Sequence, residues 1–242
     1  MKLRHIQSLC LLFGMASFGT ALAQDNTIYI DQVGAGSNID LTQDGSGNII
    51  AGNEAGTSAM KIEGDNSSVS IDTVGDTNKV IGNFIGTTDT TINVDGDTNS
   101  LAIDVDASDV YGGENSDIKI DLDGNNASID LDIASEDQAT GLVLDWTLQG
   151  DYFSLDYNID SNDADSYLDI DGDNVSIAYD ADGYDGHTSS ITGVGNNIDI
   201  SIDQQSTLQS DNVTVEFNGS GTTASPATLC ISQSDSGTAT GC

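Results

Sequence analysis

SNIDLTQDGSGN, residues Ser37 to Asn48, sets Ile39, Leu41 and Gln43 at a period of two and then breaks at Gly45. Alternation over that length predicts a strand with one buried face. The Gly and Asn residues that follow predict a reversal directly after it. The same shape returns along the chain, which therefore reads as a stack of copies of one strand–turn–strand unit.

The copies emerge when the chain is aligned on Gly34, Gly64, Gly96, Gly124, Gly150, Gly172, Gly193 and Gly219, spaced 21 to 32 residues apart. Five residues after the Gly stand Ile39, Val69, Leu101, Ile129, Leu155, Ile177 and Ile198. Seven after it stand Leu41, Ile71, Ile103, Leu131, Tyr157, Tyr179 and Ile200. Two before it stand Gln32, Ile62, Val94, Leu122, Leu148, Ile170, Ile191 and Phe217. A near-fixed period with two short strands per copy predicts an all-β solenoid of about eight repeats over residues 24–222. No copy can bury its inner face alone; stacking at the strand spacing of about 4.8 Å buries one continuous core. Gly45 and Gly75 read as secondary turns within the longer early copies. No segment sustains a helical period. Trp146, Phe153, Tyr157 and Tyr179 fall on inward columns and read as core, with a carbohydrate-stacking surface as the alternative use of the aromatic residues.

The two ends of the sequence read differently. Lys2, Arg4 and His5, then the apolar run Leu9 to Phe18, then Ala21-Leu22-Ala23, predict a secretory signal peptide over residues 1–23. The run is too short for a membrane span, so no membrane insertion is expected. Residues 223–242 read as a tail or cap holding Pro226, Cys230 and Cys242. Export to an oxidising compartment favours a disulfide between the two cysteines, with a reactive or interchain thiol as the alternative. The expected location is extracellular or the cell surface, reached through the periplasm.

Charge narrows the partners. Beyond residue 23 only Lys61, Lys79 and Lys119 oppose 40 carboxylates, which excludes nucleic acid and anionic membranes as partners. Eight residues after the aligned Gly, the outward column reads Thr42, Asp72, Asp104, Asp132, Asn158, Asp180 and Ser201. Stacked carboxylates one rung apart repel by about 1 kcal/mol in water. Salt screens them, and Ca²⁺ does so better by binding carboxylate oxygens. Calcium is thus the candidate ion, not a required cofactor, with Asp72, Asp104, Asp132 and Asp180 as its candidate ligands. The runs Asp169 to Asp173 and Asp180 to Gly186 lack the spacing and terminal Glu of an EF-hand and read as solvated acidic turns. No Gly-x-Ser-x-Gly elbow or Cys–His pair occurs, and His187, in a Gly-rich turn, reads as an ordinary loop residue. The chain is not expected to be an enzyme.

In the opening repeats, Ser37, Gln43, Gly45, Gly47 and Asn48 stand at the spacing Ser-x5-Gln-x-Gly-x-Gly-Asn, and Gln32, Gly34 and Asn38 repeat it imperfectly. Over about 25 residues, 26–50, the chain resembles curlin, the subunit of curli amyloid fibres. Beyond them Ile62, Val94 and Leu122 stand where that pattern has Gln. The resemblance implies a secreted β-solenoid that joins end to end into an extracellular fibre, acting in cell adhesion and biofilm matrix. It implies a ladder through Gln32, Asn38, Gln43 and Asn48, self-association as the main partnership, and curli-like subunits and an outer-membrane secretion system as further partners. The alternative function is a monomeric calcium-dependent adhesin or a surface carbohydrate-binding solenoid. The open edge at Thr27 to Gln32, β-prone and without Pro, independently predicts strand addition at that end.

Overall fold

The computed structural model describes residues 27–45, 49–50, 60–86, 88–105, 115–133, 139–183, 186–206, 211–219 and 227–234. The expected signal peptide, Asn48, Pro226 and Cys242 lie outside these residues. In chain order the strands are β1 (Thr27–Ile28), β2 (Asp31–Val33), β3 (Asn38–Asp44), β4 (Ile49–Ile50), β5 (Met60–Glu63), β6 (Ser67–Val74), β7 (Thr77–Ile85), β8 (Thr88–Asp95) and β9 (Thr98–Val105). There follow β10 (Asp117–Asp123), β11 (Ala127–Ile133), β12 (Ala139–Gln149), β13 (Ser154–Asp171), β14 (Ser176–Asp182), β15 (Thr188–Val194), β16 (Asp199–Gln205), β17 (Asn212–Asn218) and β18 (Thr228–Ser234).

The strands form a β-solenoid with two parallel faces. Sheet I stacks β1 with β2, then β4 with β5, then β7, β9, β11, the first half of β13, β14, β16 and β18. Sheet II stacks β3, β6, β8, β10, β12, the second half of β13, β15 and β17. Each rung thus gives one strand to each sheet, and the chain climbs by half a step at each corner. Period-two alternation is what makes this possible. In β14 the burial alternates residue by residue, with Ile177, Tyr179 and Ala181 inside and Ser176, Ala178, Asp180 and Asp182 outside. The inward side chains of both sheets merge into one core running from Leu41 to Ile202. Tyr157 and Tyr179 stack within it, ring centroids 4.3 Å apart, and Trp146 lies 5.6 Å from Tyr157. These aromatics fill the core, as their columns predicted.

Glycine turns the corner from sheet II to sheet I. The amides of Gly45, Gly75, Gly96, Gly124, Gly150, Gly172 and Gly195 donate to the carbonyls of Val74, Asp95, Asp123, Gln149, Asp171, Val194 and Asn218 of the rung above. In this column there is no room for a side chain. A Cβ on Gly96, Gly124, Gly150, Gly172, Gly195 or Gly219 would overlap the carbonyl oxygen of the glycine one rung below. A second ladder runs beside it. Asp97 Oδ1 accepts from Asn125 Nδ2 (3.2 Å), Asn125 Oδ1 from the Asp151 amide (2.9 Å), Asp151 Oδ1 from the Asp173 amide (2.8 Å), and Asp173 Oδ1 from the Asn196 amide (2.7 Å).

The structure corrects the repeat alignment. Gly34 and Gly64 lie at the corner from sheet I to sheet II, whereas Gly96 and its successors lie at the opposite corner. The glycines below Gly96 in its column are Gly75 and Gly45, and Gly193 lies inside β15, its corner place taken by Gly195. Ile71 therefore stacks on Leu41 and under Ile92 in sheet II, while Ile103 stacks under Leu131 in sheet I. In the early rungs both corners begin with Gly, Gly34 and Gly64 at one and Gly45 and Gly75 at the other, so matching glycines slips by half a rung without disturbing the apolar pattern. The boundary at 222 also moves. Thr228 to Ser234 pair in register with Asp199 to Gln205, so sheet I continues into the segment expected to be a tail or cap. Cys230, on that strand, is disulfide-bonded.

Candidate functional site

Two features stand out on the solenoid: an acidic ladder on the outer face of sheet I, and the two ends of the stack. The ladder is a consequence of register. Outward positions of successive strands bring Asn83, Asp104, Asp132, Asn158, Asp180, Asp203 and Ser232 into one column. Of the candidate calcium ligands, this column unites Asp104, Asp132 and Asp180. Asp72 is not among them; it lies in sheet II between Thr42 and Asn93 and accepts from Asn93 Nδ2. The half-rung slip in the alignment is the reason. Asn158 interrupts the ladder between Asp132 and Asp180. Among the described residues no group of three or more carboxylate, histidine or cysteine side chains converges as metal ligands do.

The ladder has an electrostatic signature. Partial burial, then Asp203, Asp182 and Asp156, raise the Asp180 carboxyl above its ordinary range. Partial burial, then Asp130, raise that of Asp132. A carboxyl whose folded pKa is raised stabilises the fold when protonated, and that contribution is lost as pH climbs from 3.8 through the raised value. Lowering the pH from 7 toward 4.5 is therefore expected to raise the contribution of these two groups to stability. Asp180→Asn is expected to raise the melting temperature at pH 7 and to flatten its rise toward pH 4.5, both read by scanning calorimetry. A variant that melts below the native protein at pH 7 would contradict this account.

Sequence reasoning missed a buried histidine–carboxylate contact. His187 is no ordinary loop residue: it faces inward at the corner between β14 and β15, and both its side chain and that of Asp211 are fully buried. Asp211 Oδ1 lies 3.1 Å from His187 Nδ1 and accepts from the His187 amide at 2.9 Å. Nε2 lies 2.7 Å from the Ser161 carbonyl. The pair ties together three consecutive rungs, through β13, the β14–β15 corner and the start of β17. A polar network continues beside it, where Gln204 Nε2 donates to Ser189 Oγ at 2.9 Å and Gln233 Nε2 donates to Gln204 Oε1 at 3.1 Å. Only the inward pull of the corner distinguishes His187 from an exposed loop histidine, and no local pattern encodes that. Sealed from solvent, it is not placed to meet a substrate.

Three members of the predicted amide ladder, Gln32, Asn38 and Gln43, do not share a column; Asn48 lies outside the described residues. Gln32 lies in sheet I under Ile62, Asn38 faces out in sheet II under Ser68, and Gln43 is buried in sheet II under Thr73. The chain alternates between sheets, so Gln32 and Gln43 belong to different columns. Stacked amides do occur elsewhere: Gln204 with Gln233, Asn78 with Asn99 (2.9 Å), and Asn174 with Asn197 (3.1 Å).

The ends are where the alternation of burial fails. In β16, inward Ile200 and Ile202 are 2% and 0% exposed; one rung higher, Leu229 and Ile231 in the same columns are 55% and 42% exposed. Between the last strands of the two sheets opens an apolar groove of about 280 Å³, lined by Ile198, Ile200, Val215, Phe217 and Leu229 among others. At the other end Ile28, Ile30 and Ile39 are only partly buried. Among the described residues no strand pairs with the outer edges of β17 and β18, or with the lower edges of β1, β2 and β3. No protein-family model, curated protein or solved structure matches this chain.

Proposed function

We propose that the protein is a secreted structural subunit that joins end to end with its own copies into an extracellular curli-like fibre, serving adhesion and biofilm matrix. One observation carries this reading: a parallel two-sheet stack in which no other described residue covers the backbone edges or the inward apolar side chains of the terminal strands. An uncovered strand edge templates further pairing. A solenoid end also presents the inner face that each internal rung hides against its neighbour. The outward faces carry charge and would keep filaments from associating sideways. Curli-like subunits and an outer-membrane secretion system are the further partners of this reading. Calcium acts in it by screening the acidic columns and is not required.

The test uses the chain from residue 24 onward. It is expected to form thioflavin-positive filaments, visible by negative-stain microscopy, after a lag that fragments of those filaments abolish. Millimolar calcium is expected to shorten the lag by weakening repulsion between like-charged subunits. A solution that holds only monomers by light scattering, after prolonged incubation with calcium and seeds, overturns the reading.

A further inference from the structure

The first and last strands of sheet I spell nearly the same pattern. Thr27-Ile28-Tyr29-Ile30-Asp31-Gln32 matches Thr228-Leu229-Cys230-Ile231-Ser232-Gln233 in Thr, two branched apolar residues at period two, and Gln. The register of the whole sheet puts these residues in the same columns. Ile28 stands below Ile50 and Val80, in the column that ends at Ile200 and Leu229. Gln32 stands below Ile62 and Phe84, in the inward column that continues through Val105, Ile133, Ile159 and Ala181 to Gln204 and Gln233. That column is apolar through its middle and carries an amide at each end.

We propose that the two ends recognise each other in one register: β18 of one copy receives β1 and β2 of the next, with Leu229 on Ile28, Ile231 on Ile30 and Gln233 on Gln32. The inference rests on the fibre reading above and fixes its joint. Gln233 already donates to Gln204, so Gln32 of the incoming copy extends an amide stack by one member. A shift of two residues toward Ile231 keeps the inward set inward but sets Gln32 against that apolar side chain, and the opposite shift carries Gln32 past Gln233. A buried amide without a partner is penalised, so the two terminal glutamines select the register. Because the chain climbs half a step at each corner, this docking places β3 of the newcomer two strand steps above β17. The joint is therefore made in sheet I. A second copy is the occupant because the pattern it must match, two apolar residues and an amide in consecutive inward positions, is the one its own first strands present.

The test is a double-mutant cycle on seeded elongation, with each protein extending seeds of its own kind: native, Gln32→Leu, Gln233→Leu and the double variant. Gln32 and Gln233 lie at opposite ends of a stack roughly 38 Å tall at the strand spacing, so within one copy they do not meet. Each single change is expected to slow elongation about tenfold, by leaving one amide against leucine. The double change is expected to be no slower than either single one, because leucine then meets leucine, while the urea midpoints of the four monomers stay additive. A hundredfold loss in the double variant, the product of the singles, overturns the register while leaving the fibre reading intact. Coupling already present in the monomers overturns it too. Failure of the native protein to elongate removes both.

Discussion

Gly150→Ala is expected to lose about 4 kcal/mol or more of unfolding free energy, a large part of the roughly 5–15 kcal/mol that holds an ordinary domain together. Two penalties combine. Gly150 holds φ at +129°, a conformation that L side chains rarely adopt; strain of that kind is worth about 1–3 kcal/mol. The added methyl also overlaps the backbone carbonyl of Gly124 and closes on Phe153. Neither is the far end of an adaptable side chain with free space to retreat into. Relief requires the two rungs to separate, breaking the hydrogen bond from the Gly124 amide to the Gln149 carbonyl, 2.9 Å long. Gly36→Ala is the control. Gly36 also has a positive φ, +73°, but a Cβ there meets nothing within 4 Å. Its loss should be confined to strain, about 1 kcal/mol. Urea unfolding of both variants checks the order. Equal midpoints would mean that the close approach of stacked glycines contributes nothing.

Asp211→Ala is expected to be the most damaging change of a charged residue, at about 3–5 kcal/mol. It leaves the buried His187 with neither its Nδ1 partner nor the acceptor of its amide. Breaking one side of a buried pair is far more harmful than replacing both. The core column that holds His187 reads Leu142 and Ala164 in the two rungs beneath it. An apolar side chain suits that place, so the pair His187→Leu with Asp211→Asn should regain more than half of the lost stability. The asparagine oxygen still accepts from the amide of residue 187. Thermal unfolding of the three proteins decides the matter. A double variant less stable than Asp211→Ala would show that the pair supplies more than mutual satisfaction.

The corner residues mark how far the sequence can be read. Asn66, Asn126, Asn174 and Asn197 all have φ between 56° and 60°, the left-handed conformation that Asn tolerates better than most residues. Gly-Asp-Asn at 64–66 and Gly-Asn-Asn at 124–126 therefore announce a corner from local chemistry alone. They do not announce which corner. The first leads from sheet I to sheet II and the second from sheet II to sheet I. The two differ only in which strands, 20 to 30 residues away, supply their hydrogen-bond partners.

Asp72 and Gln43 were misplaced for that reason, and His187 for a related one. A histidine among glycines carries no periodicity, so its burial depends on Ser161 and Asp211, 26 and 24 residues away. By itself, the sequence determined that strands alternate apolar and polar residues, that glycine and asparagine close them, and that the units recur closely enough to stack. Those properties follow from backbone stereochemistry and the two-residue period of a strand, both of which are local. Only the tertiary structure decided which sheet each strand joins, which carboxylates share a column, and that β18 lies in the same columns as β1 and β2. Those are properties of register, set by hydrogen bonds between rungs and by the fit of side chains across the core.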